Sequence, residues 1–139
     1  MKEFLETVIG IIGAAVAAFF GGWSSAMTTL LIFMGIDYIT GLIVAGVFHA
    51  SEKTEGGGLE SRAGWKGLCR KGVTLLIILV ATRIDLILST TYFKDGTCIA
   101  FIANELLSIV ENAGLMGIPM PQAITKAVEV LKAKAENEG

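Results

Sequence analysis

Few side chains in this 139-residue chain could do chemistry, and most of them lie where charge is costly. Asp37, Arg83, Asp85, Glu105 and Glu111 each fall inside a long apolar stretch. In such surroundings an ionised group must be paired, hydrated or neutralised by a proton. Four acids oppose one arginine, so pairing satisfies one or two of them, and the others must be protonated, reached by water or shared between copies. Arg83 is expected to pair with Asp37 or Glu105. Thr40 follows Asp37 by one turn. On a helical wheel Thr97, Asn104, Glu105, Ser108, Glu111 and Asn112 fall within an arc of about 120°. This stripe suits a water-filled lumen made by several copies; the alternative is hydrogen-bond glue inside a closed bundle. Either way the chemistry on offer is the handling of charge and water at membrane depth.

Other chemistries lack their parts. No nucleophile, base and orienting group stand in a recognisable pattern, and Gly56-Gly57-Gly58 lacks the lysine and hydroxyl of a phosphate-binding loop. His49 is the one histidine, and the two cysteines, Cys69 and Cys98, have no spacing partners, so neither a metal site nor a disulfide framework is expected. A net charge of −2 and a pI near 5.4 provide no basic field for nucleic acid. The sequence predicts a protein that is not an enzyme and has no cofactor.

The elements that must position these residues follow from composition. Hydrophobic residues make up 53% of the chain and charged ones 17%, with a mean hydropathy of +0.69, too little polar cover for a soluble domain of this size. Thirty residues between Glu6 and Asp37 carry no charge. A bilayer core needs about 20 helical residues per crossing. The expected fold is an all-α integral membrane protein: residues 1–121 form a small bundle of transmembrane helices, with spans near 4–22, 26–49, 72–93 and 97–118. Residues 50–71 form a basic cytoplasmic loop, and residues 122–139 a cytoplasmic amphipathic tail with Ile124, Ala127, Val128 and Leu131 on one face. Lys2 before the first apolar run also fits a secretory signal, but Glu3 and Glu6 spoil its basic start.

Insertion energies differ between the spans. Asp37 near the middle of the second costs about 3 kcal/mol, which eleven Leu, Ile, Val and Phe residues offset at about 0.3 to 0.6 kcal/mol each. Arg83 and Asp85 in the third cost about 5 to 7 kcal/mol, close to what its aliphatic residues return. The fourth carries the polar stripe and inserts least readily, so a three-span form with 97–118 lying in the interface is the alternative topology. In the first helix Gly10, Ala14, Ala18 and Gly22 are four apart, a spacing that lets helices approach closely in lipid. Arg62, Lys66 and Arg70 share a face beside Trp65, and with Lys71 mark the cytoplasmic, headgroup-facing side, placing both termini inside.

Four groups of residues carry a resemblance to a known family. They are Asp37, Thr40 and Gly41; Ser61, Gly64, Lys66 and Lys71; Asp85; and Asn104-Glu105, Ser108-Ile109, Glu111-Asn112, Gly117, Pro119 and Pro121. Across residues 23 to 124 the chain resembles the toxin-secretion and phage-lysis holins of Gram-positive phages, which include the holin-like toxin-release protein of clostridia. The resemblance implies a multi-pass protein of the host's bacterial cytoplasmic membrane, partnered by the lipid bilayer and by copies of itself. It would oligomerise and open lesions through which an endolysin or toxin leaves, with no catalytic residue involved. Two other classes compete: a small proton- or cation-coupled transporter using Asp37 or Glu105 as carrier carboxylate, and a structural subunit whose polar stripe binds another membrane protein.

Overall fold

The long uncharged run is broken at Gly21 and Gly22, whose φ values of 69° and 98° lie in the left-handed region that favours glycine. A Cβ at Gly21 would also stand 3.3 Å from the Thr82 methyl group. The run therefore folds as two helices, α1 (Lys2–Phe19) and α2 (Ser25–Gly46), with Ser24 Oγ accepting the Met27 N–H to cap the second. The computed structural model describes residues 1–138, and side chains for 1–137. It continues with α3 (Ser61–Leu88), α4 (Tyr92–Leu115) and α5 (Gln122–Glu138), and among the described residues it contains no strand.

Helix boundaries follow local hydrogen bonding rather than hydropathy alone. The helix of the basic segment starts at Ser61, so the connection after α2 is confined to residues 47–60, and Arg62, Lys66, Arg70 and Lys71 are helical instead of lying in a loop. α3 stops at Leu88, short of the expected Phe93, because Ser89 turns left-handed (φ 55°) and the Thr90 N–H returns to the Asp85 carbonyl. α4 begins at Tyr92, before the polar residues Lys94-Asp95-Gly96 expected to separate two spans. It ends in a left-handed glycine motif: Gly117 has φ 76°, and the N–H groups of Gly117 and Ile118 bond the carbonyls of Gly114 and Ala113. Pro119 and Pro121 then prevent the helix from continuing.

α2 and α4 run parallel, as Met27 against Cys98 near one end and Asp37 against Asn112 further along require, and α3 runs antiparallel to both. Their shared core is Met27, Leu30, Met34, Ile78, Cys98 and Ile102, with Phe20, Phe33, Leu75 and Phe101 packed around it. α5 doubles back along α4, burying Val128 and placing Leu131 against that core, while Ile124 at its start stays exposed.

α1 stands apart. None of its residues is buried, nothing in the chain approaches Gly10, and Gly22 lies beyond the helix end, so the spacing of small residues makes no contact within the chain. Apolar side chains cover the outside of the other helices as well; Ile87 is 81% exposed and Val47 70%. α2 and α4 are long and apolar enough to cross a membrane. In α1, Lys2, Glu3 and Glu6 interrupt the apolar run, and in α3, Lys71, Arg83 and Asp85 do so.

Candidate functional site: a three-helix polar knot above a vestibule

Asp37 on α2, Lys71 on α3 and Glu105 on α4 meet at one level of the bundle. The Lys71 ammonium donates to Asp37 Oδ2 and to Glu105 Oε2, each at 2.8 Å. Asn112, two turns along α4 from Glu105, donates one amide hydrogen to Asp37 Oδ1 and the other to Thr40 Oγ1, both at 2.9 Å. The Thr40 hydroxyl in turn donates to the Ile36 carbonyl at 2.8 Å. Asp37, Glu105 and Asn112 are all buried, and among the described residues no buried side-chain nitrogen or oxygen lacks a partner. Two carboxylates around one ammonium leave the knot with one formal negative charge in excess.

This geometry corrects the expected pairing of Arg83. That side chain is exposed and makes no ion pair among the described residues. Lys71 lies twelve residues earlier on α3, about 18 Å along the axis and about 120° around it, which brings it to the carboxylates and leaves Arg83 on another face. The headgroup-facing role assigned to Lys71 is likewise replaced by an inward one. Arg62, Lys66 and Arg70 remain exposed, as does Trp65.

Beside the knot, α2, α3, α4 and residues 51–54 line a half-open cavity of about 880 Å³. Asn104, Glu105, Ser108, Glu111 and Asn112 all line it from α4, opposite Lys66 and Arg70 of α3. Glu105 and Asn112 face the knot, Ser108 is half-buried, and Asn104 and Glu111 are exposed. Thr97, two turns above Asn104, is outside the cavity and half-buried. The stripe is thus gathered around a hollow within one chain.

Asp85 has a different occupation. Its Oδ1 accepts the Thr90 hydroxyl at 2.7 Å and the Phe93 N–H at 3.0 Å, and its Oδ2 accepts the Lys94 N–H at 2.8 Å. It therefore satisfies the open N–H groups at the start of α4, where a negative charge is also favoured by the helix dipole. The Lys94 ammonium crosses to the carbonyls of Gly22, at 3.1 Å, and Phe20, tying the α1–α2 turn to the α3–α4 turn. Sequence reasoning missed Lys94 and Thr90 here, although a lysine nine residues after a buried aspartate, across a short polar break, was the available signal. It also missed the close passage of α3 over Tyr38, whose hydroxyl donates to the Gly64 carbonyl at 3.3 Å and where a Cβ on Gly64 would come within 3.4 Å of that oxygen.

Among the described residues no three His, Cys, Asp or Glu side chains are grouped closely enough to hold a metal ion, and Cys69 and Cys98 are both free thiols. The site is built from ion pairs, amides and a hollow.

The sequence profile of a bacteriophage holin family matches residues 14–133. A probable holin of Bacillus phage phi105 is 33% identical over 117 residues, covering 84% of this chain and 81% of that protein. An uncharacterized protein of Halalkalibacterium halodurans is 33% identical over 138 residues, covering 95% and 96%, and an uncharacterized 14.9 kDa protein of Clostridium perfringens is 33% identical over 134 residues, again covering 95% and 96%. No solved structure matches the chain. With a profile match over most of its length, two helices able to cross a bilayer and a named phage relative, this membrane protein belongs to the bacteriophage holin family.

Proposed function

We propose that this chain is a holin that accumulates in a bacterial cytoplasmic membrane, assembles with copies of itself and opens lesions that release an endolysin or a toxin. The observation that carries the reading is the polar interior just described: a knot with excess negative charge and a hollow lined by Asn104, Ser108 and Glu111, inside a bundle whose outside is apolar. A single bundle keeps the groups of the knot paired and buried. Copies that share their hollows gain a continuous wet surface, so rising density in the membrane favours opening.

The four-span topology belongs to the same proposal. α1 and α3 cross alongside α2 and α4, the charge of Lys71 being met within the bundle by Asp37 and Glu105. Lys53, Arg62, Lys66 and Arg70 mark the cytoplasmic side by their positive charge, and both termini lie there. The hollow then opens toward the cytoplasm, the side from which an endolysin or toxin would leave.

The decisive experiment induces the chain alone, and with an endolysin, in a bacterium while following membrane potential and release of a cytoplasmic enzyme. A holin collapses the potential, and in the presence of the endolysin the enzyme appears abruptly in the medium. A membrane that keeps its potential and its enzyme overturns the reading. The excess charge of the knot also favours a cation- or proton-coupled transporter, which would leave both signals intact.

A further inference from the structure

The placement of α5 conflicts with a membrane-spanning α4, and the conflict is informative. α5 runs back along α4 until Leu131 packs against the core cluster of Met27, Leu30, Met34, Ile78, Cys98 and Ile102, which lies well inside the length of the spans. Around and beyond Leu131 its outward surface carries Glu129, Lys132, Lys134 and Glu136, all exposed, and Lys126 is exposed nearer its start. Charged side chains at the lipid-facing surface of a spanning bundle are strongly disfavoured, and short of the interface they have no water to reach. α5 cannot keep this position once α4 is surrounded by hydrocarbon.

The connection between the two helices is built to turn. Residues 116–121 contain the left-handed Gly117 and the helix-stopping Pro119 and Pro121; Met116, Gly117 and Ile118 are held by backbone bonds to α4, and residues 119–121 make none to it. α5 packs along much of α4, but its burial is shallow: Val128 is its only buried side chain among those described, with Ala127, Leu131 and Ala135 half-buried.

We propose that α5 is a removable cover for α4. Docked, it shields the apolar side of α4 from water before that helix enters the bilayer; on insertion α5 swings away about the 116–121 connection, surrenders the face of α4 to lipid acyl chains and lies in the cytoplasm. This inference rests on the reading that α4 spans, and it adds a conformational step to it: insertion of α4 and release of α5 are one event.

The test uses the full chain with single cysteines in a Cys69→Ser/Cys98→Ala background, expressed in bacteria and labelled with a membrane-impermeant maleimide in inside-out vesicles and, from the other side, in intact spheroplasts. Val128→Cys reports the docked face and Lys126→Cys the opposite, always exposed face. Thr91→Cys and Gln122→Cys report the two ends of α4. Released α5 makes Val128→Cys label as fast as Lys126→Cys, whereas a docked helix protects it by about tenfold or more. Labelling of Thr91→Cys and Gln122→Cys from opposite sides with Val128→Cys still protected overturns the inference and leaves the spanning reading standing. Labelling of both ends from the same side overturns the two together. A Leu131→Cys variant read in the same way guards against a local effect of the Val128 substitution, since both must become reactive if the helix leaves as a unit.

Discussion

Lys71 holds two carboxylates from two other helices with a single ammonium, so it is the residue on which the polar interior depends. Removing one partner of a buried ion pair strands the other charge and costs about 3 to 5 kcal/mol, while replacing the whole set by apolar groups is often neutral. Lys71→Met is therefore expected to unfold at markedly lower denaturant in detergent than the natural protein, and the triple change Asp37→Leu/Lys71→Met/Glu105→Leu to recover most of the loss. Equal stability of Lys71→Met would show that the knot is not formed. The two glutamates of the α4 stripe separate at the same scale. Glu105 is a member of the knot, whereas Glu111 is exposed on the hollow. Glu105→Ala should lower stability and alter lysis together; Glu111→Ala should delay lysis onset with stability unchanged, within about 0.5 kcal/mol as for a surface substitution. An onset indistinguishable from that of the natural chain takes Glu111 out of the water path.

At the scale of elements, the turn between α3 and α4 is organised by one carboxylate that accepts from Thr90, Phe93 and Lys94. Asp85→Ala removes a helix cap and leaves N–H groups open, a loss of about 1 to 2 kcal/mol. Asp85→Asn keeps an acceptor oxygen and should retain part of it, and the order of the two in a thermal or denaturant titration checks the assignment. The opposite end of the bundle depends on backbone shape. At Gly57 (φ 74°) a Cβ would collide with the His49 carbonyl oxygen, so Gly57→Ala should displace the 47–60 connection that helps line the hollow. Raised proteolysis of this connection in Gly57→Ala, with α2 to α4 intact, is the expected result.

For the whole molecule the orientation in the membrane is open to a direct chemical reading, because the two natural cysteines are so unlike. Cys69 is exposed on the basic start of α3, and Cys98 is buried against Met27. An impermeant maleimide should label one thiol per chain in inside-out vesicles and none in intact spheroplasts before lysis. Labelling from outside would reverse the proposed topology. α1 buries nothing within its own chain; if the proposed assembly of copies runs through it, crosslinking through a cysteine placed at Ala14 should grow with expression level, and crosslinking that stays absent at every level takes α1 out of the assembly.

Much of this protein was legible before any fold was known. The apolar runs and the stop at Pro119 and Pro121 follow from local composition, because turn chemistry and hydropathy act over a few residues, whereas Gly22, expected inside the first helix, lies in the turn after it. The α4 stripe was legible too, since a helical wheel fixes which side chains share a face. Partners were not. Which cation meets Asp37 and Glu105 depends on how far α3 slides along α2 and α4 and how it is rotated, and periodicity contains neither quantity; Arg83 was the reasonable choice by depth in the third apolar run, whereas α3 begins at Ser61, before the expected start at residue 72, and so includes Lys71. In the same way an aspartate expected to need a partner at mid-depth became a helix cap, since the chain turned just after it. Local sequence determined the elements and the supply of charge. Tertiary structure decided which charges touch, because contact between side chains 34 residues apart is set by the register of packed helices.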